Sequence, residues 1–259
     1  MERHDAVAGD RKRVRLPYLG HLMLAERVLG LCVAALVALI IASVYDEPAG
    51  LRGLVGLLAA LIVQDVVIAA LRRRIGPERA SVADLLTLGR ATAGAILAGL
   101  VASGVHDRAG PAGRLGLAVT ILGGTACDWL DGPLARRLGP TRLGGALDIE
   151  ADSWLTLWSA AAAVAWGGLP WWVLVAPILR YAHPLLDVVG GGLPTGGGPW
   201  WSRVSGVAQM ALIFAALAPL QGHIRDVVLV VASVPIAVAQ CATVLTLLAM
   251  RRASSRPQS

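Results

Sequence analysis

Eight apolar stretches follow one another along these 259 residues, each close to the length a helix needs to cross a bilayer. About 20 apolar residues span a hydrocarbon core of ~30 Å. The stretches are Val28–Tyr45, Gly53–Ala70, Leu85–Val105, Leu115–Leu130, Leu147–Ala165, Trp171–Val188, Val204–Leu220 and Val227–Met250. A segment this short keeps its own backbone bonded in lipid only as a helix, so the expected class is all-α, a polytopic membrane helical bundle of about eight transmembrane helices. The composition agrees. The chain is 56% hydrophobic and 15% charged, with mean hydropathy +0.66. That excludes a water-soluble globular enzyme, a disordered chain and a nucleic-acid-binding protein.

The basic residues set an orientation. Placing the N-terminus in the cytoplasm puts 17 of the 23 basic residues on the inner side, against Arg52, Arg108, Arg114 and Arg225 outside and Arg90 and Arg180 within spans. This is the positive-inside asymmetry, and it makes both termini cytoplasmic. The rival reading of residues 1–45 as a cleaved signal peptide suffers from an overlong charged leader and an overlong apolar run. Cys32, Cys127 and Cys241 sit in apolar runs with no metal-ligand spacing and read as small apolar residues. The Trp pairs at 171–172 and 200–201 read as interface anchors.

Acids inside apolar segments are costly and therefore informative. Asp128 and Asp131 are three apart at the end of the fourth stretch, and Asp148 and Asp152 are four apart at the start of the fifth. Both spacings place a pair on one helix face. A short connection makes the two helices antiparallel neighbours, so the pairs can face each other at one depth. Four clustered carboxylates repel unless a cation sits among them. An all-oxygen donor set suits Mg²⁺ or Mn²⁺ and not zinc, and such ions bring phosphate chemistry with them. The competing reading makes the acids helix caps or partners of Arg136, Arg137 and Arg142. Gly132, Ala135, Gly144 and Gly145 lack bulk where a ligand would approach the backbone, and Arg136 offers a planar fork for phosphate oxygens.

The string D-x-x-D-G-x-x-A-R followed by G-x-x-x-D-x-x-x-D, here Asp128, Asp131, Gly132, Ala135, Arg136, Gly144, Asp148 and Asp152, resembles the signature of the CDP-alcohol phosphotransferase (CDP-alcohol phosphatidyltransferase) family. The segment between Arg136 and Gly144 is slightly shorter than is usual there. The resemblance implies a six-helix core over residues 81–250. Around it lie a cytoplasmic segment 1–27, two N-terminal helices in 28–80 without an assigned role, and a basic cytoplasmic tail 251–259. It also implies a multi-pass enzyme of the cell membrane, its site open to the cytoplasm. Such an enzyme transfers a phosphatidyl or other substituted phosphate group from a CDP-linked lipid such as CDP-diacylglycerol to an acceptor alcohol, releasing CMP, in phospholipid biosynthesis. Carried over by position, Asp128, Asp131 and Asp148 would ligand a pair of Mg²⁺ or Mn²⁺ ions. Asp152 would be the general base, sharing in metal binding. Asp128, Gly132, Ala135, Arg136 and Gly144 would contact the nucleotide. The family further implies a homodimer.

Thr87-Leu88-Gly89-Arg90, preceded by Asp84, resembles the T-x-x-R of glycerophosphate-accepting members. Arg90 is thus a candidate for acceptor phosphate, for an acid of the main cluster, or for a snorkelling position. Arg180, buried in an apolar stretch, needs an anion: the acceptor's phosphate, Asp187 or another acid. These two arginines favour glycerol 3-phosphate as acceptor, then inositol phosphate. Glu150 lies between the metal acids but on another helix face and stays outside the site. His183 reads as a polar residue beside Pro184, Asp65 as a cap or a partner of Arg72–Arg74, and the Gly-rich 190–198 as a linker. Two other readings of the acids are a Mg²⁺-dependent membrane prenyltransferase and a non-enzymatic divalent-cation transporter. The first lacks support from the D-G-x-x-A-R string, the second from any repeat of the acidic pattern.

Overall fold

The computed structural model describes residues 47–76, 82–108, 110–138, 141–181, 200–218 and 222–254. These form helices α1 (Glu47–Ile75), α2 (Val82–Ser103), α3 (Gly110–Leu138), α4 (Arg142–Gly167), α5 (175–181), α6 (Trp200–Leu217) and α7 (His223–Ser254). Single 3₁₀ turns at Val105–Asp107 and Trp171–Leu174 complete the described elements, and none of these residues is in a strand. The first apolar stretch, His183, Asp187 and the Gly-rich segment lie outside the described residues.

Three helices are individually long and apolar enough to cross a membrane: Pro48–Ile75, Ala83–Ser103 and His223–Thr243. Gly113–Cys127 and Val204–Leu217 are shorter apolar helices. At 26 residues α4 has the length, but its first half carries Arg142, Asp148, Glu150 and Asp152. The described residues thus form an all-helical fold. The outer faces are greasy: Ile62 and Val66 on α1, Val119 on α3, Val207 on α6 and Val231 and Val238 on α7 are all exposed. Such continuous apolar surface suits contact with lipid chains, not water.

Small residues set the spacing of the helices. A Cβ on Gly99 of α2 would lie 2.8 Å from the carbonyl oxygen of Gly53 on α1, and one on Gly56 would lie 2.4 Å from Cβ of Ala102. The pair is in near-backbone contact, as glycine seams allow where lipid supplies no hydrophobic drive, and the contacts at its two ends make it antiparallel. Arg52 donates from Nη2 to the Ser103 carbonyl at 3.2 Å at one end of this pair. At the other end Val67, Ile68 and Leu71 meet Leu88, Leu143 and Leu147.

Against its other side α2 takes α4 in parallel. The side chain of Trp154 fills the hollow above Gly94, where a Cβ would lie 2.6 Å from its Cδ1. Helix α3 runs back between them, with Gly124 against Leu155 and Ala93. A larger cluster joins Leu97, Ile121, Leu155, Trp166, Ile213 and Leu229, tying α2, α3 and α4 to α6 and α7. At its end α4 stops at Gly168, whose φ of 71° is left-handed, and its N–H bonds back to the Ala163 carbonyl. Only glycine takes that cap without penalty.

The expected outcome at the seam is specific. Gly99→Val drives side-chain atoms into the Gly53 backbone and lowers stability by about 1–3 kcal/mol. Gly116→Ala, on an exposed helical position with nothing within 4 Å, is neutral or stabilising by up to about 1 kcal/mol. Thermal melting of the two variants in detergent checks the contrast.

Candidate active site

The site is built on the first three turns of α4. Thr141 caps the helix: its hydroxyl accepts from the Gly144 N–H at 2.8 Å and donates to the carboxylate of Asp84 on α2 at 3.2 Å. Asp84 is buried, and its Oδ1 would stand 2.2 Å from a Cβ on Gly144. The glycine at 144 is thus demanded by the carboxylate pressed against it, a packing reason independent of any nucleotide. Sequence reasoning missed this contact. Its one local signal was a Thr three residues before the glycine, at a helix start.

One turn further along, Asp148 is taken by Arg90. The guanidinium Nη2 pairs with Asp148 Oδ1 and also reaches the Asp148 carbonyl at 3.4 Å. The Arg90 side chain is 1% exposed while that of Asp148 is 49% exposed. An arginine so withdrawn from water costs several kcal/mol unless an anion answers it. Of the options open in the sequence, pairing with an acid of the main cluster is the one found. Another turn on, Asp152 pairs with Arg180 of α5, both side chains partly open. The partner of Arg180 among the described residues is therefore Asp152, four residues beyond Asp148 on the same face of α4.

Glu150 faces the other way. It is 3% exposed and accepts from Gln64 Nε2 of α1 at 2.9 Å and from the Tyr181 hydroxyl of α5 at 3.2 Å. Helical spacing excluded it from the acidic face, but the partners waiting behind α4 could not be read from the sequence.

Asp128, Asp131, Gly132, Ala135 and Arg136 lie in the last three turns of α3, and only their helical backbone is described. That backbone fixes a register. Since α2 and α4 are parallel and α3 is antiparallel to α2, the Gly124–Leu155 contact acts as a common origin. Residues 131 and 148 each lie about 10 Å from it along their helices, and residues 128 and 152 about 5–6 Å. Positions 124, 128 and 131 share one helical stripe. The backbone positions 131 and 148, and 128 and 152, therefore lie at similar heights along their helices.

Asp148 and Asp152 bring only oxygen donors, on one face and partly open, a set that fits a hard cation and not a thiolate- or imidazole-loving one. Among the residues whose side chains are described, no three His, Cys, Asp or Glu converge on one point. A cation at this face would have to compete with Arg90 and Arg180 for the two carboxylates.

The sequence profile of the CDP-alcohol phosphatidyltransferase family matches residues 80–248, well over half of the chain. No curated protein and no solved structure matches it. The chain belongs to the CDP-alcohol phosphatidyltransferase family. It is an integral membrane transferase of phospholipid metabolism, and it moves a substituted phosphate from a CDP-alcohol to an acceptor. That membership displaces the prenyltransferase and cation-transporter readings.

Gly144→Ala is expected to destabilise by about 1–3 kcal/mol through collision with the Asp84 carboxylate. Adding Asp84→Ala removes the collision, so the double variant should be more stable than the sum of the single changes. A double-mutant cycle of melting or denaturant data reads the coupling. Additive behaviour would contradict the packing explanation.

Proposed function

We propose that the enzyme is a phosphatidyltransferase using a CDP-linked lipid such as CDP-diacylglycerol, with glycerol 3-phosphate as acceptor and inositol phosphate as the second candidate. The observation that carries this reading is the pairing of Asp152 with Arg180 one turn beyond Asp148. It sets a carboxylate able to take a proton beside a cation able to hold a phosphate. An acceptor bearing both hydroxyl and phosphate matches the two groups.

In this reading Asp128, Asp131 and Asp148, with a share from Asp152, hold Mg²⁺ or Mn²⁺. The bound ions would neutralise the diphosphate and the departing CMP. The residues of the chain do the rest. Arg180 swings from Asp152 to the acceptor's phosphate and thereby presents the hydroxyl to the freed carboxylate. Asp152 takes the hydroxyl proton as the acceptor oxygen bonds to the phosphorus bearing the lipid alcohol. The P–O bond to CMP breaks, and CMP leaves with the electron pair. Asp128, Gly132, Ala135, Arg136 and Gly144 line the nucleotide's place, with Arg136 on phosphate oxygens. Arg90, sunk among the helices on Asp148, holds that carboxylate in place instead of meeting the acceptor. Positioning and charge stabilisation supply most of the rate in reactions of this kind.

The orientation argued from the basic residues puts both termini and this face of the bundle at the cytoplasm. The division into segment 1–27, helices 28–80, core 81–250 and tail 251–259, the count of eight spans and a homodimeric state complete the proposal.

Purified protein incubated with CDP-diacylglycerol, Mn²⁺ and one alcohol at a time should release CMP fastest with glycerol 3-phosphate. Asp152→Asn should keep nucleotide binding while losing at least about a hundredfold in turnover. Arg180→Ala should raise the acceptor KM far more than that of the CDP-lipid. Wild-type turnover in the first variant removes the base. Equal effects on both substrates in the second remove the acceptor subsite.

A further inference from the structure

Helix α1 lies outside the matched residues 80–248, yet it buries a glutamine against the helix that carries the acids. Gln64 is 0% exposed. Its Nε2 donates to Glu150, while its Oε1 has no hydrogen-bond partner among the described residues. A polar side chain in an apolar bundle costs free energy, and the hydrogen bond that answers it here goes to one carboxylate oxygen. Tyr181 of α5 donates to the same Oε1 of Glu150 from the other side. Three helices thus converge on one acid.

The geometry of α4 gives that convergence a meaning. At about 100° per residue, Asp148 and Asp152 lie about 40° apart, and Glu150 lies about 160–200° from either. Whatever holds Glu150 therefore holds the azimuth of the opposite, acidic face. The same contact reaches the fourth charged group, because Tyr181 directly follows Arg180. Trp154 is seated over Gly94 among Leu57, Leu61, Ala95 and Ala98, but apolar packing is non-directional and lets surfaces slide by small amounts. A hydrogen bond with defined partners has no such freedom to slip.

We infer that Glu150, gripped from behind by Gln64 and Tyr181, is a positioning residue that fixes the rotation of α4 and the placement of Asp148, Asp152 and Arg180, which makes α1 part of the catalytic unit. The inference rests on the proposed roles of those three residues, but its structural half is separable from them. A misplacement of about 1 Å at reacting groups costs up to about a hundredfold in rate. Loss of this brace therefore lowers kcat while leaving the affinity for the CDP-lipid largely alone.

The test uses the full chain in lipid vesicles, with Cys32, Cys127 and Cys241 replaced by alanine. Spin labels at Arg73→Cys on the last turn of α1 and Gly145→Cys on α4, both exposed positions, report the distance between the two helices by pulsed EPR. Glu150→Leu should broaden or shift that distance and lower kcat about ten- to a hundredfold, with the CDP-lipid KM within about threefold. Glu150→Gln, and the exchange Gln64→Glu with Glu150→Gln, should restore both readouts. A wild-type distance distribution in Glu150→Leu, or wild-type kcat, overturns the inference. If Glu150→Leu fails to fold, Gln64→Met on α1 makes the same comparison, and a wild-type distance or kcat there overturns the inference equally. Absence of CMP release from the wild type with every CDP-linked lipid defeats the transferase reading instead, and the distance measurement then decides the brace alone.

Discussion

Charge taken out of water must be answered inside the bundle, and nearly every feature of this molecule's interior follows from that demand. Arg90 is as buried as any leucine around it, so Asp148 must meet it. Glu150 is buried on the reverse face, so Gln64 and Tyr181 must meet that. Asp84 is buried at the start of α2, and Thr141 answers it at the start of α4. Each answer comes from a helix other than the one that carries the charge. The polar groups therefore fix which helices are neighbours, their direction and their register, which apolar packing against lipid specifies weakly.

The result is a helix with two jobs on opposite sides. Toward Arg90 and Arg180, α4 presents two partly open carboxylates one turn apart. Toward α1 it presents a sealed one. Glycines let the neighbours come close enough for this: Gly94 admits Trp154, Gly124 admits Leu155 and Gly144 admits the Asp84 carboxylate. The family core begins at residue 80, but the polar contacts do not respect that boundary, because the glutamine behind the site belongs to α1.

How much of this was legible depended on whether the cause was local. Helical spacing alone placed Asp148 and Asp152 together and Glu150 apart from them, and each was found so. The apolar windows located α2, α6 and α7 to within four residues, while α1 overruns its window by six residues at the start and five at the end. Helix α3 begins five residues before its window, at Gly110. Hydropathy marks only the lipid-matched part of a helix, while Pro111 is well suited to its first turn. The same helix continues through 138, so the whole D-G-x-x-A-R string is helical. Partner choice was not legible. For Arg180 the sequence offered the acceptor's phosphate, Asp187 or another acid, and Asp152 emerged as a partner only through the approach of α5 to α4. Gln64 carried no signal at all: a lone glutamine in an apolar run becomes meaningful only once Glu150 is found opposite it, 86 residues away.

The central claim is that the ends of α3 and α4 bring two acidic pairs to one level. Cysteine pairs on a cysteine-free background, one at 131 and 148 and one at 128 and 152, treated in membranes with a short thiol-to-thiol cross-linker, address it most directly. The antiparallel register predicts efficient cross-linking within each of these pairs and little between 131 and 155 or between 124 and 148. Failure of both level pairs to cross-link, or preference for the staggered ones, would contradict the account.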